Sequence, residues 1–405
     1  MTRRHRALEM LLRLAMPGGP VALSQEPLSR PPRKLLVVKV AGLGDALMVR
    51  SLIGHWQRVS PEMELGVLVC PPTREALSSY SNFRVHFYDP WRDSVVTFLR
   101  LVGEVRRVRY DAAVDFEPYS LLTALFMRLA SIPSRVGFAG VPGNPRTVLL
   151  TNAIELLRRD PLWSNFVRLA RMVAPLPSGE LSTLPLPCAA EGQEWLNSWL
   201  QERRCPPGSR LVGLHLGVHA RTHYKAWPLD RFVSLAEHLK ATVPGLIVVL
   251  TGTAAERDLI QRFRASFSGE AIDAGGIGAL GRTALLLSRC DLLVSSDTGV
   301  MHLGASMGVP TVGIFGATRS DHWAPVGPRA TFVYATQVDC SPCVDVLRQI
   351  APFECVNAKK SRCMWDVGVD RVLQAARKVV AGDWLGQRDS VLMTQVPEPV
   401  SPRDS

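Results

Sequence analysis

The sequence predicts an α/β protein made of two doubly wound parallel-sheet units, and three observations carry that expectation. Short β-rich apolar runs alternate with stretches of helical periodicity from residue 34 onward. The alternation lapses over Ala174 to Cys188, a segment rich in Pro and Ser, and restarts at Leu211-Val-Gly-Leu-His-Leu-Gly. At 405 residues the chain is long for one core, which favours two domains.

The first strand is Lys34-Leu-Leu-Val-Val-Lys-Val-Ala. It ends in Gly42-Leu-Gly-Asp45, after which Ala46 to Val59 carries apolar residues at helical spacing. A strand at Leu65 to Cys70, a helix around Arg74 to Tyr80 and a short strand at Arg84 to Tyr88 come next. A basic amphipathic helix, Ser94 to Arg109, leads into the strand Tyr110-Asp-Ala-Ala-Val-Asp-Phe. A helix-strand pair follows through Ser120 to Phe138, and the remainder to about Ala174 reads as mostly helical. After a helix near Glu191 to Arg203, the second unit continues with the strand from Leu211, a helix at Leu229 to Ala241, a strand at Leu246 to Thr251 and a helix at Ala254 to Ser266. Asp291 to Gly316 reads as strand, tight turn, helix, strand, and a last helix spans Gly368 to Val380. The expected organisation is a basic leader over 1–33, a first unit over 34–185, a second over 186–385 and a disordered polar tail over 386–405.

The formal net charge of +11 points to an anionic partner: nucleic acid, a phosphorylated glycolipid or an acidic membrane. No recognisable nucleic-acid module accompanies it, so nucleic acid is not expected. The first 34 residues hold seven cationic side chains against two acids, as a frayed leader or as a short amphipathic helix lying on an anionic membrane surface. No stretch approaches the roughly 18 apolar residues needed to cross a bilayer, and no cleavage site follows the basic start cleanly. Cys70, Cys188, Cys205 and Cys290 read as reduced thiols of a cytoplasmic protein.

An acid and a hydroxyl at the carboxyl end of a buried strand, followed by Gly and a helix start, describe Asp297-Thr298-Gly299, with His302 three residues on. Open α/β sheets present backbone amides to phosphate-bearing ligands in this way, although an Asp here also serves as a helix cap. Gly42-Leu-Gly-Asp45 is not a dinucleotide fingerprint, because Leu47 stands where the third Gly belongs and the second strand ends in Cys70-Pro71-Pro72 with no acid. What remains is a carboxylate, Asp45, beside a helix start: either a cap or a proton acceptor facing the cleft. The loop from Gly217 to Pro228 lies at the same edge as Asp297. Its Lys225 is either a solvated surface residue or a point charge for a departing diphosphate. Glu256 either accepts bonds from a ribose or favours a helix N-terminus, and His302 is either a core histidine or a site residue.

Five stretches then carry a resemblance in order: Leu35 through Asp45; Tyr110-Asp-Ala-Ala-Val-Asp-Phe-Glu with Arg135-Val-Gly-Phe138; Gly217 through Lys225-Ala-Trp-Pro228; Asp297-Thr-Gly-Val-Met-His302; and Phe315-Gly-Ala-Thr318 with Trp323-Ala-Pro325. From about residue 34 to 380 the chain resembles glycosyltransferase family 9, the ADP-heptose:lipopolysaccharide heptosyltransferases. The resemblance implies a GT-B fold, two Rossmann-like domains facing across a cleft, with the acceptor on the N-terminal side and the sugar nucleotide held mainly by the C-terminal one. It implies inverting transfer without a metal, with Asp45 as general base and Gly217, Lys225, Glu256, Asp297, Thr298, Gly299 and His302 as nucleotide-sugar contacts. The partners it implies are an ADP-sugar donor and an anionic lipid-linked saccharide at the cytoplasmic face of the inner membrane. Protein or small-molecule acceptors, and a non-catalytic sugar-nucleotide-binding scaffold, are the alternatives. Leu216 and Ala317 replace frequent Pro residues, and Glu117 takes a place often held by Gln on the presumed acceptor side, which bears on acceptor identity.

Two further features stand beside that frame. The helix Ser94 to Arg109, with Arg92, Arg100, Arg106, Arg107 and Arg109, is either a solvated face or a site for glycolipid phosphates, with Arg106 and Arg107 as acceptor contacts. Cys340, Cys343, Cys355 and Cys363 place four thiols within 24 residues, and the first pair has a spacing suited to thiolate binding of zinc or iron. The resemblance adds that transferases heptosylating autotransporter proteins carry an iron-binding cysteine group. The longer gaps of 11 and 7 residues weaken the pattern, and any such metal is expected to be structural.

Overall fold

The structure, a computed structural model, describes residues 26–385 apart from 79–82, 91, 141–143, 189, 345–354, 356, 358–359 and 383. Most of the basic leader, 1–25, and the tail, 386–405, lie outside the described residues.

Among the described residues, twelve strands form two six-stranded, wholly parallel sheets. In the first, β1 (Lys34–Val38), β2 (Glu64–Val69), β3 (Arg84–Phe87), β4 (Ala112–Asp115), β5 (Ser134–Phe138) and β6 (Asn152–Ile154) take the order β3-β2-β1-β4-β5-β6. In the second, β7 (Arg210–His215), β8 (Leu246–Gly252), β9 (Ala271–Gly275), β10 (Leu292–Ser296), β11 (Thr311–Phe315) and β12 (Ala330–Tyr334) take the order β12-β11-β10-β7-β8-β9. Both sheets therefore share one winding, and the strand order reverses between β1 and β4 and again between β7 and β10. At such a reversal the flanking helices diverge and leave a crevice beyond the strands' carboxyl ends.

The central strands are apolar along most of their length because helices cover both of their faces, with polar residues gathered toward their ends. Leu35 to Val38 are fully buried, with Leu35 and Val37 facing one core cluster and Leu36 and Val38 the other. The helices that matter for the site are α1 (Leu43–Val59), α2 (Pro71–Leu77), α3 (Val95–Val108), α4 (Leu121–Leu129), α5 (Leu162–Arg171), α6 (Ala190–Glu202), α7 (Leu229–Thr242), α8 (Arg257–Ser266), α9 (Leu280–Ser288) and α10 (Gly299–Ser306). One apolar cluster runs from Leu52 and Trp56 through Phe166 and Leu186 to Leu285 and Leu303, so the two sheets share part of their core.

Segment 175–188 has no helix or strand and is strapped along α1. Arg50 Nη1 donates to Leu184 O at 2.9 Å, Leu184 N donates to Ser51 Oγ at 2.8 Å, and Thr183 Oγ1 donates across to Val326 O at 2.9 Å. The carboxylate of Glu75 on α2 accepts from the backbone N of Leu280 at the start of α9, a second tie between the units.

Three strands depart from the sequence expectation. The stretch expected to be mostly helical contains β6 and a 3-10 turn, Pro145–Leu149, before α5 begins. β6 has three residues, too few for an alternating pattern to register, and β9 and β12 are edge strands with incomplete cover. The helix expected from Ala46 starts at Leu43, because Gly42 at φ +79° turns the chain tightly enough to admit it earlier.

Candidate active site

The carboxyl ends of β1 and β4 carry the first half of the site. Lys39 follows β1 and is 1% exposed, a burial an ammonium tolerates only when paired. Its Nζ lies 3.0 Å from Asp45 Oδ2 and 2.8 Å from Glu117 Oε1. That same Glu117 oxygen accepts from the backbone N of Val40 and of Ala41, each at 2.8 Å, which fixes the turn leading to Asp45. Burial works against charge on Lys39, yet the two carboxylates outweigh it and hold the ammonium above its ordinary pKa. Asp45 sits in the first turn of α1 without a capping bond, and its side chain is 18% exposed. The cap reading therefore fails, and the structure places a lysine-held carboxylate at the cleft.

Behind it, Asp115 and Arg146 are both fully buried, 2.7 Å apart. Asp115 also accepts from Thr123 Oγ1 at 2.7 Å and from the backbone N of Glu117 at 3.0 Å. Burial pushes Asp115 up to about 6 against the pull of Arg146, and lowers Arg146 in turn.

The second half comes from β7, β10 and the loops that follow them. Trp227 N donates to Ser296 Oγ at 3.0 Å and its indole Nε1 to Val367 O at 2.9 Å, pinning the loop that carries Lys225. Lys225 Nζ then reaches Asp297 Oδ2 at 2.7 Å, and Thr318 Oγ1 donates to the same oxygen at 2.7 Å. Burial alone would raise Asp297, but Lys225 and Thr318 hold it below its usual range. Asp297 is not a cap either: the N-cap of α10 is Thr298, whose hydroxyl meets Ser295 Oγ at 3.1 Å. The amides of the first turn of α10 thus face the crevice unbonded within the helix.

Glu256 is shared between its two readings. Its Oε2 accepts from Thr253 N at 2.6 Å at a helix start, while its Oε1 lies where a Cβ on Gly217 would sit only 1.5 Å away. A side chain at 217 would displace that carboxylate.

The halves meet at His302. Its imidazole packs on Gly44, and Gly299 packs on Leu43, so the first turns of α1 and α10 touch. Burial lowers the pKa of His302, Asp297 and Asp45 pull it upward, and Lys225 pushes it down, so the imidazole feels charges from both units at once. The structure thus brings together Asp45, Lys225, Asp297, Thr298, Gly299 and His302, with Gly217 and Glu256 along the same edge.

Sequence reasoning passed over Lys39, Thr318 and His322. A Lys set between the apolar runs Leu35 to Val38 and Val40-Ala41 was the available signal for the first. His322 is buried, with Nδ1 2.8 Å from Asp160 O and no partner for Nε2 among the described residues. Asp45 is among the charges that raise it against a larger lowering by burial. Nothing in its local sequence announces that place.

A family model described as glycosyltransferase family 9 (heptosyltransferase) matches residues 98–353. The chain belongs to glycosyltransferase family 9. Among the members it resembles is lipopolysaccharide heptosyltransferase 2 of Salmonella typhimurium, 26% identical over 316 residues, covering 74% of this chain and 87% of that protein. Of solved structures, Escherichia coli ADP-heptose lps heptosyltransferase II aligns with a TM-score of 0.66 at 21% identity, over 85% of this chain and 98% of that one. The E. coli heptosyltransferase WaaC with ADP-2-deoxy-2-fluoro heptose aligns with a TM-score of 0.62 at 17% identity, over 85% and 99%. At these identities the structural likenesses show the fold, GT-B. This family 9 chain is a glycosyltransferase whose two lobes face each other across the crevice just described.

Two expectations fare differently in this family 9 enzyme. Arg106 and Arg107 lie in the last turn of α3, which runs back from the carboxyl edge of the sheet to its amino edge, where Asp111 accepts from the backbone N of Lys34 at 2.9 Å. About 17 Å of helix separates them from the start of α3, so they lie toward the sheet edge opposite the one that carries Asp45; helix direction, invisible in a charge pattern, decides this. The four cysteines do gather: burial and the neighbouring thiols Cys343, Cys355 and Cys340 push Cys363 up to about 11. Among the described residues, however, no three His, Cys, Asp or Glu side chains are arranged to hold a metal ion.

Proposed function

We propose that the protein transfers a heptose from ADP-heptose to a lipopolysaccharide inner-core or related lipid-linked saccharide, with inversion at the anomeric carbon. The observation that carries this reading is the meeting, at His302, of a lysine-held carboxylate from one lobe with a cation and helix start from the other. The names of its relatives support the donor and the acceptor class, since the family 9 proteins reported above act in heptose transfer or carry an ADP-heptose analogue.

Asp45 accepts the proton of the acceptor hydroxyl as its oxygen attacks the anomeric carbon; the bond to the diphosphate breaks on the opposite face, and ADP leaves with the electron pair. Lys39 holds Asp45 in place. Lys225, tethered by Asp297, and the amides at the start of α10 offset the negative charge growing on the diphosphate, so the reading assigns that task to protein groups and needs no metal for it. Glu256 Oε1 is the oxygen offered to a ribose hydroxyl. All eight cysteines are unpaired thiols, which supports a reducing, cytoplasmic setting. No helix among the described residues is long and apolar enough to cross a membrane.

Calorimetry with ADP-, UDP- and GDP-sugars tests the donor, with ADP-heptose expected to bind best and a uridine donor overturning the assignment. Asp45→Ala is expected to keep donor affinity while losing transfer. Undiminished turnover in that variant would remove the mechanism.

A further inference from the structure

The most exposed large apolar side chains among the described residues are Val95, Val96 and Leu99, at 59%, 58% and 55%. All three lie in the first two turns of α3, whose opposite face is buried through Phe98, Leu101, Val102 and Val105. Down the outward face, Val96, Arg100, Gly103 and Arg107 follow at helical spacing with Leu99 alongside, and Gly103 opens onto free space. Arg92, just before the helix, has a side chain 89% exposed. Three acids lie nearby: Asp89 Oδ2 is 4.0 Å from Arg92 Nε, Asp93 accepts from Asp89 N at 2.7 Å, and Glu104 is 3.0 Å from His86 Nδ1. From residue 92 to 109, Arg92, Arg100, Arg106, Arg107 and Arg109 stand against Asp93 and Glu104, so this surface combines uncovered aliphatic groups with a net positive charge.

We propose that the outward face of α3, from Arg92 to Arg107, is a docking surface for an anionic lipid bilayer. The side chains of Val95, Val96 and Leu99 offer only aliphatic surface, with no polar atom, which matches acyl chains better than a saccharide. Arg92 and Arg100 bracket them along the chain, both exposed, and a guanidinium fork pairs with phosphate in two bonds. Charge complementarity thus selects an acidic bilayer over a neutral one. Position adds the functional link. α3 starts at the carboxyl edge of the first sheet, the edge that holds Lys39 and Asp45, so docking there sets the mouth of the crevice beside the membrane. The inference deepens the proposed use of a lipid-linked acceptor and rests on that reading for its purpose, though the docking itself needs no acceptor.

The test is sedimentation of the full chain with acceptor-free vesicles of phosphatidylethanolamine and phosphatidylglycerol, set against vesicles of phosphatidylcholine alone. The wild-type chain is expected to partition to the acidic vesicles and to release with salt. The double variants Val96→Ser/Leu99→Ser and Arg92→Glu/Arg100→Glu are each expected to lose about tenfold or more in partitioning, with unchanged thermal midpoints because all four side chains point to solvent. Variants that sediment like wild type, or a wild-type chain that ignores lipid charge, overturn the surface. Transfer from ADP-heptose to a detergent-dispersed acceptor is read separately. A chain that docks without transferring refutes only the function proposed, and one that transfers without docking refutes only the surface.

Discussion

A Cβ on Gly44 would lie 2.4 Å from Cδ2 of His302, so the two lobes touch at the reaction crevice only because that residue lacks a side chain. Gly44→Ala sits inside α1, where the exchange ordinarily stabilises by up to about 1 kcal/mol. Here the opposite sign is expected: a loss of about 1–3 kcal/mol from overpacking, with kcat reduced as α1 and α10 move apart. Adding His302→Ala empties the contested space, so the double variant should unfold at a higher temperature than Gly44→Ala alone. Thermal unfolding of the four proteins in a double-mutant cycle reads the coupling, and strict additivity would mean the contact is absent in solution.

Lys39 carries two carboxylates, and removing it leaves both Asp45 and Glu117 without their shared cation. Lys39→Met is expected to cost about 3–5 kcal/mol, the range for breaking a buried pair from one side. Because its folded pKa is raised, the contribution of Lys39 is fully present below the unfolded value near 10.5 and is lost only as pH rises beyond it. Denaturant titrations at neutral and strongly alkaline pH should therefore show the gap between wild type and variant closing at the alkaline end. In kinetics, kcat should fall while donor KM stays put, since Lys39 acts through Asp45.

What could be read from the chain was what lies close together along it. A strand, a glycine turn and an acid fit within Leu35 to Asp45, and a strand, a hydroxyl and a helix start fit within Asp291 to His302, so both halves of the crevice were legible. The partners of those groups were not, because Glu117 reaches Lys39 across 78 positions and Lys225 reaches Asp297 across 72. Spacing gives no access to such pairs; they follow from the β1/β4 and β7/β10 adjacency of the sheets. Arg106 and Arg107 show the same limit from the other side, since their charge was plain and their distance from Asp45 was set by the direction of α3.

The buried pair Asp115 and Arg146 supports the turn that holds Glu117. Arg146→Leu is expected to destabilise by about 3–5 kcal/mol, whereas Asp115→Leu together with Arg146→Leu should recover much of that loss because no buried charge is then left alone. Asp115 is raised to about 6 in the fold, so its contribution is present below the unfolded value near 3.8 and fades as pH climbs through about 6. Asp115→Asn should flatten the stability profile across that interval, a change that chemical denaturation at a series of pH values would reveal.

Asp297 has the reverse sign. Its folded pKa lies below the usual carboxylate value because Lys225 and Thr318 outweigh the cost of burial, so its contribution is present above the unfolded value near 3.8 and is lost as pH falls through the folded one. Asp297→Asn removes that acid-side loss, and it also frees the ammonium that the carboxylate tethers at 2.7 Å. The variant should therefore show a shallower decline in stability below about pH 4 and a donor affinity weakened by about tenfold, a point charge now having to find the diphosphate from many rotamers. Asn keeps an oxygen for Thr318 Oγ1, so the fold around β10 is expected to persist. Calorimetric titration with ADP measures the affinity, and a variant that binds ADP as wild type does would show that Lys225 does not depend on Asp297 for its place.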